Sequence, residues 1–279
     1  MAINLATKYS KKIAEKFYLD SVIAGKTSRD YDWDGVKSIN VHTIVTQDPV
    51  DYTRSGTSRY GTPTDVQDTI QTLTITQDKS VSMVVDKGDN KQQNLIKSAG
   101  KVVALEQREK FIPMVDKYAL SKWNEGRGAY SVKSGAITKN TIVEEIGKHI
   151  TLAGNNLVTL GDATCFIGYT NFGALVNSPE FLNLEKLGEK ALGKGVVGKV
   201  RGLAICPVPD SYLPEGVEFL TVKKESVLLP YQIKECKVHE DAPGISGALM
   251  EIRYLYDAFV LEAKNAGVIA CLASTPTGA

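Results

Sequence analysis

The chain has 279 residues, 43% hydrophobic and 23% charged, the balance of a soluble globular protein of one or two domains with a core large enough to fold unaided. Its 33 Lys plus Arg against 32 Asp plus Glu leave a net charge of +1, which excludes the basic excess of a dedicated nucleic-acid binder. The opening "MAINLATKYSKKIAEKF" has no continuous apolar run of a secretory signal, and the longest uncharged stretch, residues 163–179, is too short and polar to span a membrane. Cys165, Cys206, Cys236 and Cys271 form no C-x-x-C. Their spacing argues against a zinc site, and their apolar flanks predict four buried free thiols.

Along the chain, residues 1–26 read as a helix with Ile3, Ala6, Ile13 and Phe17 near one face and Lys8, Lys11, Lys12 and Lys16 covering the rest. A helix with one buried face is favoured there over a membrane or nucleic-acid element. "KSINVHTIV" then alternates as a strand. Residues 43–76, including "DYTRSGTSRYGTPTD", are rich in Thr, Tyr, Gly and Asp and carry almost no large aliphatic residue, so they build no core of their own. "QTLTITQDKSVSMVVD" returns as a long strand, which makes the whole an excursion: a strand out, a polar tip, a strand back.

The longest helical pattern follows, capped by Asp89 or Asn90 and running to Trp123. Leu95, Ala99, Val102, Val103, Leu105, Ile112 and Val115 form its apolar stripe, and Pro113 predicts a kink or break. "NTIVEEIGKHITLAG" is a second helix with Asn140 as its cap and Glu144 and Glu145 placed by the helix dipole. "TCFIGY" is a strand, "NFGALVNSPEF" a short helix, "LNLEKLGEKAL" helical, and "KVRGLAICPVP" one strand. The last third is mostly strand, broken by the turn "EDAPGISG". The fold class is α+β.

"GKGVVGKV", residues 193–200, matches the dinucleotide fingerprint, the kinase glycine loop and all but the last position of a P-loop. Each of these needs the glycines at a helix N-terminus, where free N–H groups face phosphate. Here a helical segment (184–192) precedes them and a strand follows, so carbonyls would face the ligand. Val200 stands where a P-loop hydroxyl belongs, and neither "HRD" nor "DFG" occurs. The remaining candidates are as thin. His42, His149 and His239 are far apart, and "HED" at 239–241 alternates along a strand or turn, which suits solvated side chains better than a metal or acid/base cluster. The residues form no catalytic, metal or cofactor constellation.

An extended β arm with little to bury in its own subunit points to a neighbouring subunit. The ordered set "DYDWDGVKSINVHTI", "DYTRSG", "TLTITQDKSVSMVVD", "PVPDSYLPEGVEFLTVKKESVLLP" and "HEDAPGISGALMEIRYLYDAFVLEAKNAGV" resembles the major capsid proteins of tailed bacteriophages, which share the Hong Kong 97-type fold. The resemblance covers nearly the whole chain. It implies an N-terminal arm (1–30), an extension loop (45–80), a peripheral domain with a spine helix (31–44, 81–124 and 222–260) and an axial domain (125–221 and 261–279).

By the same resemblance, Arg54, Arg59 and Tyr60 at the loop tip would contact a neighbouring subunit, with Asp241 and Pro243 contributing at a threefold turn; an ordinary solvated loop residue is the alternative at each. The implied function is a non-enzymatic shell protein that forms pentamers and hexamers of an icosahedral virion head, made in the bacterial host cytoplasm. It would contact packaged double-stranded DNA non-specifically, with separate scaffold, portal and decoration proteins as further partners, no cofactor and no membrane. No scaffolding segment precedes the arm, and no Lys–Asn cross-link pair stands out. An encapsulin-type compartment shell is the close alternative, and a nucleotide-binding enzyme using Gly193–Lys199 the remote one.

Overall fold

The computed structural model describes residues 19–33, 37–88, 98–179, 198–240 and 242–274. Strands β1 (Ser38–Ile44) and β2 (Asp68–Thr74) pair antiparallel from Ser38↔Thr74 to Ile44↔Asp68. They form a separate two-stranded ribbon whose loop, residues 45–67, is the polar tip read from the sequence. The expected single return strand is interrupted. Ile75 and Thr76 separate β2 from β3 (Gln77–Asp86), and β3 joins a different sheet.

The long helix is α1 (Ala99–Glu106), a π turn (Gln107–Phe111) and α2 (Ile112–Glu125). Pro113 therefore breaks nothing. It lacks the N–H that would bond one turn back, and the wider turn just before it accommodates the missing bond while helical backbone runs through. Asp89, Asn90 and Leu95 lie outside the described residues. Val103, Phe111, Val115, Ala119, Leu120 and Trp123 are buried along one face of this helix.

Past β4 (Ala129–Val132), helix α3 (Ile142–Asn155) begins with Thr141, not Asn140, at the cap position. Thr141 Oγ1 instead accepts from the Thr138 N–H at 2.9 Å, shaping the preceding loop. Strand β5 (Ala163–Gly168) and helix α4 (Tyr169–Val176) follow as expected. The segment expected to be one strand from 199 to 209 is a hairpin of β6 (Gly198–Val200) and β7 (Leu203–Val208). Arg201 and Gly202 form its two-residue turn, both at positive φ (48° and 91°), the type I′ geometry that matches strand twist. Gly193, Gly195 and the 184–192 segment lie outside the described residues, while Gly198 and Lys199 sit in an edge strand, where no helix N-terminus presents amides to a phosphate.

β8 (Val217–Lys223), β9 (Val227–Leu228), β10 (Tyr231–His239), β11 (Gly247–Tyr256), β12 (Phe259–Val260) and β13 (Val268–Leu272) complete the chain. A three-stranded sheet, β10-β11-β3, lies over the long helix, and a six-stranded mixed sheet runs β4-β13-β8-β5-β7-β6. The six-stranded sheet is the middle layer. Phe166, Leu220 and Ala270 face a core shared with the long helix and the three-stranded sheet, whereas Cys165, Ile167, Phe219 and Cys271 face a second core under α3 and α4. Covering on both faces explains why every residue of β5 is buried.

Two further expectations change. Residues 22–25 form a turn where a helix was expected, and the rest of that helix, 1–18, lies outside the described residues. Buried Asp116 on α2 accepts from the Val22 N–H and Ser21 Oγ, both at 2.8 Å, so the chain folds around a carboxylate. Cys165, Cys206 and Cys271 are buried free thiols, but Cys236 is exposed. It lies opposite buried Ile252 on the edge strand β10, in the stretch 234–239 that is exposed throughout.

Candidate functional site

The ribbon stands on a small core of its own, in which Trp33, Val41, Leu73, Ile75, Leu228 and Leu261 are buried. Trp33 stacks on Phe259 at 5.5 Å and 9°, a flat aromatic floor under the first residues of the ribbon. Gln71 stitches β2 to the chain after β12: its Nε2 donates to the Val260 carbonyl and its Oε1 accepts from the Glu262 N–H, both at 2.9 Å.

Asp257 holds the joint where the ribbon becomes β3. It is 3% exposed. One of its oxygens accepts from the N–H and hydroxyl of Thr76, each at 2.8 Å. The other accepts from the Tyr118 hydroxyl at 2.7 Å and the Ala258 N–H at 2.8 Å. A buried carboxylate is tolerable only when such donors surround it. Burial together with this carboxylate pushes the Tyr118 phenol above its ordinary pKa, so it stays a donor.

Beyond Val41 the ribbon leaves the body, and its apolar residues become exposed. Ile44, Val45, Val50, Tyr52, Tyr60, Val66 and Ile70 range from 45% to 86% exposed. The tip is nevertheless ordered by its own bonds. Thr53 N–H donates to the Arg59 carbonyl at 3.1 Å, Gly61 N–H to the Ser58 carbonyl at 3.2 Å, and Val45 N–H to the Gln67 carbonyl at 2.9 Å. Gln47 and Thr64 bond across the loop. Tyr52 and Tyr60 meet edge to face at 5.0 Å. Gly61 takes φ 85°, and a Cβ there would come within 2.8 Å of Val50 Cγ2, so only glycine lets the valine close the turn.

The structure therefore groups Arg54, Arg59 and Tyr60 on one exposed tip. Tyr60 is 86% exposed, while Arg59 Nε is turned back to the Gly56 carbonyl at 3.1 Å. Pro243 is exposed in a different turn, where Ile245 N–H donates to the Ala242 carbonyl at 3.2 Å; Asp241 lies outside the described residues. His239 stands 3.4 Å from Glu251 across the strand pair, both about half exposed, as expected of solvated side chains. Glu144 and Glu145 lie in the first turn of α3 as expected, and Glu145 is in addition buried and accepts from Lys148 Nζ and the Ser134 N–H, tying the loop before α3 to the helix. Sequence reading missed Asp257, Gln71 and Asp116, whose long-range partners lie 94 to 191 residues away. It also undervalued Val50 and Val66, single aliphatics in polar surroundings.

Among the described residues no cluster of His, Cys, Asp or Glu is arranged to hold a metal, and no helix is long and apolar enough to cross a membrane. No protein-family model and no curated protein matches the sequence. Solved structures do match over nearly its full length. The capsid structure of Cyanophage P-SCSP1u has a TM-score of 0.77 at 14% identity, covering 98% of this chain and 94% of its own. The mature capsid of bacteriophage PhiM1 has a TM-score of 0.73 at 12% identity, covering 98% and 93%. This chain has the phage major capsid protein fold. A chain from Mycobacterium phage Che8 extends the likeness at a TM-score of 0.70 and 18% identity, covering 97% and 98%. Within the capsid fold, the ribbon and its tip carry a run of exposed apolar side chains on an element that its own subunit does not cover.

Proposed function

We propose that the chain is the major capsid protein of a tailed phage, which assembles with copies of itself into the icosahedral head of the virion. The observation that carries this is the arm. Its seven exposed apolar and aromatic side chains leave on the order of 700–800 Å² uncovered, close to the roughly 800 Å² that each partner contributes to a standard interface. A preordered tip also loses little entropy on docking.

In this reading Tyr60 is the aromatic anchor, Arg54 makes the charged contact, and Arg59 supports the turn through Gly56. Asp241 and Pro243 contribute at the second turn. Residues 1–30 act as the N-terminal arm and 45–80 as the extension loop. The peripheral domain comprises 31–44, 81–124 and 222–260, and the axial domain 125–221 and 261–279. Pentamers and hexamers are the building blocks. Packaged double-stranded DNA and separate scaffold, portal and decoration proteins are the further partners, and the subunit itself carries no catalysis. The likeness to phage capsids favours a genome-enclosing head over an encapsulin-type compartment.

Electron microscopy of the purified chain tests the proposal: closed shells or capsomer tubes are expected, and a persistent monomer at high concentration would refute it. Deleting residues 51–64 should block assembly and leave the subunit folded. Normal shells from that deletion would remove the tip from the interface.

A further inference from the structure

One edge of the three-stranded sheet is left open in a way that the six-stranded sheet avoids. The six-stranded sheet ends in β4 and β6, four and three residues long, and edges that short offer little to a second chain. β10 is nine residues long and, among the described residues, pairs on one side only. Its register with β11 shifts between Tyr231 and Ile233 and is then regular to His239. No proline interrupts that stretch, and residues 234–239 are all exposed. Such an edge presents a row of backbone donors and acceptors that another strand can extend.

The side chains decide which strand fits. Glu235 and Lys237 lie opposite Arg253 and Glu251, whereas Cys236 and Val238 lie opposite buried Ile252 and Met250. Arg253 is held by both oxygens of Asp78, at 3.0 and 2.7 Å, so Glu235 pairs with Lys237, at 2.8 Å and with both side chains more than half exposed. When two identical strands pair antiparallel, opposite residues stand at equal steps on either side of a central residue. Centring on Lys234, Glu235 or Lys237 sets a charge against its own copy. Centring on Cys236 sets Glu235 against Lys237 on both sides of the axis, and Cys236 is also the midpoint of the regular stretch 233–239. The same register puts Val238, 41% exposed, against Lys234. The Lys234 ammonium is turned back over the Tyr231 and Tyr254 rings at 5.3 and 5.5 Å, so its methylene stem meets the valine. β3, the other edge of this sheet, has no such solution. Its Lys79 lies an odd number of positions from both Asp78 and Asp86, so self-pairing never sets opposite charges face to face.

We propose that β10 pairs antiparallel with β10 of a second copy about a twofold axis at Cys236, joining two three-stranded sheets into one of six strands. Rings of five or six chains are built from head-to-tail contacts, so a twofold contact lies outside the ring and links one ring to the next. The proposal rests on the shell reading above and assigns a contact between its capsomers.

Two measurements on the full chain test it. In assembled shells a short bis-maleimide should join most chains into covalent pairs through Cys236, the exposed thiol, and Cys236→Ser shells should give none. Glu235→Lys and Lys237→Glu each make both cross-axis pairs repulsive. Either change should raise the concentration at which shells form by at least about tenfold, while the Tm of the unassembled subunit stays within about 2–3 °C of wild type. Combining Glu235→Lys with Lys237→Glu restores opposite charges across the axis and should return assembly to within about threefold of wild type. That rescue is what a purely local role for either charge would not give. Wild-type shells that stay uncrosslinked, single variants that assemble like wild type, or a double variant as poor as the singles would each overturn the contact and leave the shell reading standing. Wild-type chain that forms no shells would overturn the shell reading and the contact with it.

Discussion

Replacing Asp257 by asparagine tests whether one carboxylate holds the foot of the arm. Asparagine keeps the shape but retains a single acceptor oxygen, and its NH₂ then faces donors. Of the bonds from Thr76 N–H, Thr76 Oγ1, Tyr118 hydroxyl and Ala258 N–H, two are lost whichever way the amide points. Each bond to a charged group contributes about 1.5–3 kcal/mol, so losing two costs about 3–6 kcal/mol before any relaxation. Asp257 is only 3% exposed, which leaves little solvent to compensate. For a chain of this size, Tm should fall by roughly 10 °C. The loss should also be local. Hydrogen exchange at residues 38–44 and 68–76 should accelerate first, while the three-stranded sheet keeps its protection until global unfolding. A Tm within 2–3 °C of wild type, with unchanged exchange in the ribbon, would refute the claim that this carboxylate fastens the arm.

Two buried groups should pull the acid response in opposite directions. Burial pushes Asp116 up to about 6, against the bonds from Val22 and Ser21 and the charge of Lys26. Its contribution is fully present below about pH 4 and is lost as pH rises through 6. Burial pushes His149 down to about 3, so its contribution is present above about pH 6.5 and is lost as pH falls toward 3. Urea unfolding between pH 7 and 5 should show Asp116→Asn losing more stability on acidification than wild type, and His149→Gln losing less. Equal slopes in all three proteins would contradict both assignments. Thiol labelling of the native chain should modify Cys236 alone, because burial raises Cys165 to about 12 and Cys271 to about 11, and raises Cys206 as well. A second fast-reacting thiol would show that one of the two cores is open to solvent.

What the sequence disclosed was local periodicity and its absence. Alternation located β1 and the return of the ribbon, 3.6-residue spacing located the long helix, and a run with few aliphatics located the tip. What it concealed was decided at a distance. The break at Thr76 exists because Asp257 captures it from 181 residues away. Pro113 looked disruptive, yet packing on both sides of it favours a π turn over a kink. Cys236 has the alternation of an inward residue, but inward means buried only where something lies beneath the strand. "Arg-Gly" at 201–202 is a far weaker hairpin signal than Asn-Gly, so two strands read as one. The candidate surface followed the same rule. Its tip was visible as composition, whereas the side chains that hold its foot were not.

The turn at residues 22–25 has a mechanical meaning. Lys26 runs from it into the body, donating to the Val22 carbonyl at 2.7 Å and to Cys206 Sγ at 2.9 Å, with its ammonium 5.0 Å from the centre of the Phe166 ring. Cys206 and Phe166 belong to the middle sheet, so any tension on the segment that ends at residue 19 enters the molecule through its most deeply covered strands. Asp116 spreads the same load onto the long helix. A pull on the N-terminal segment would thus meet two walls at once, the middle sheet through Lys26 and the long helix through Asp116.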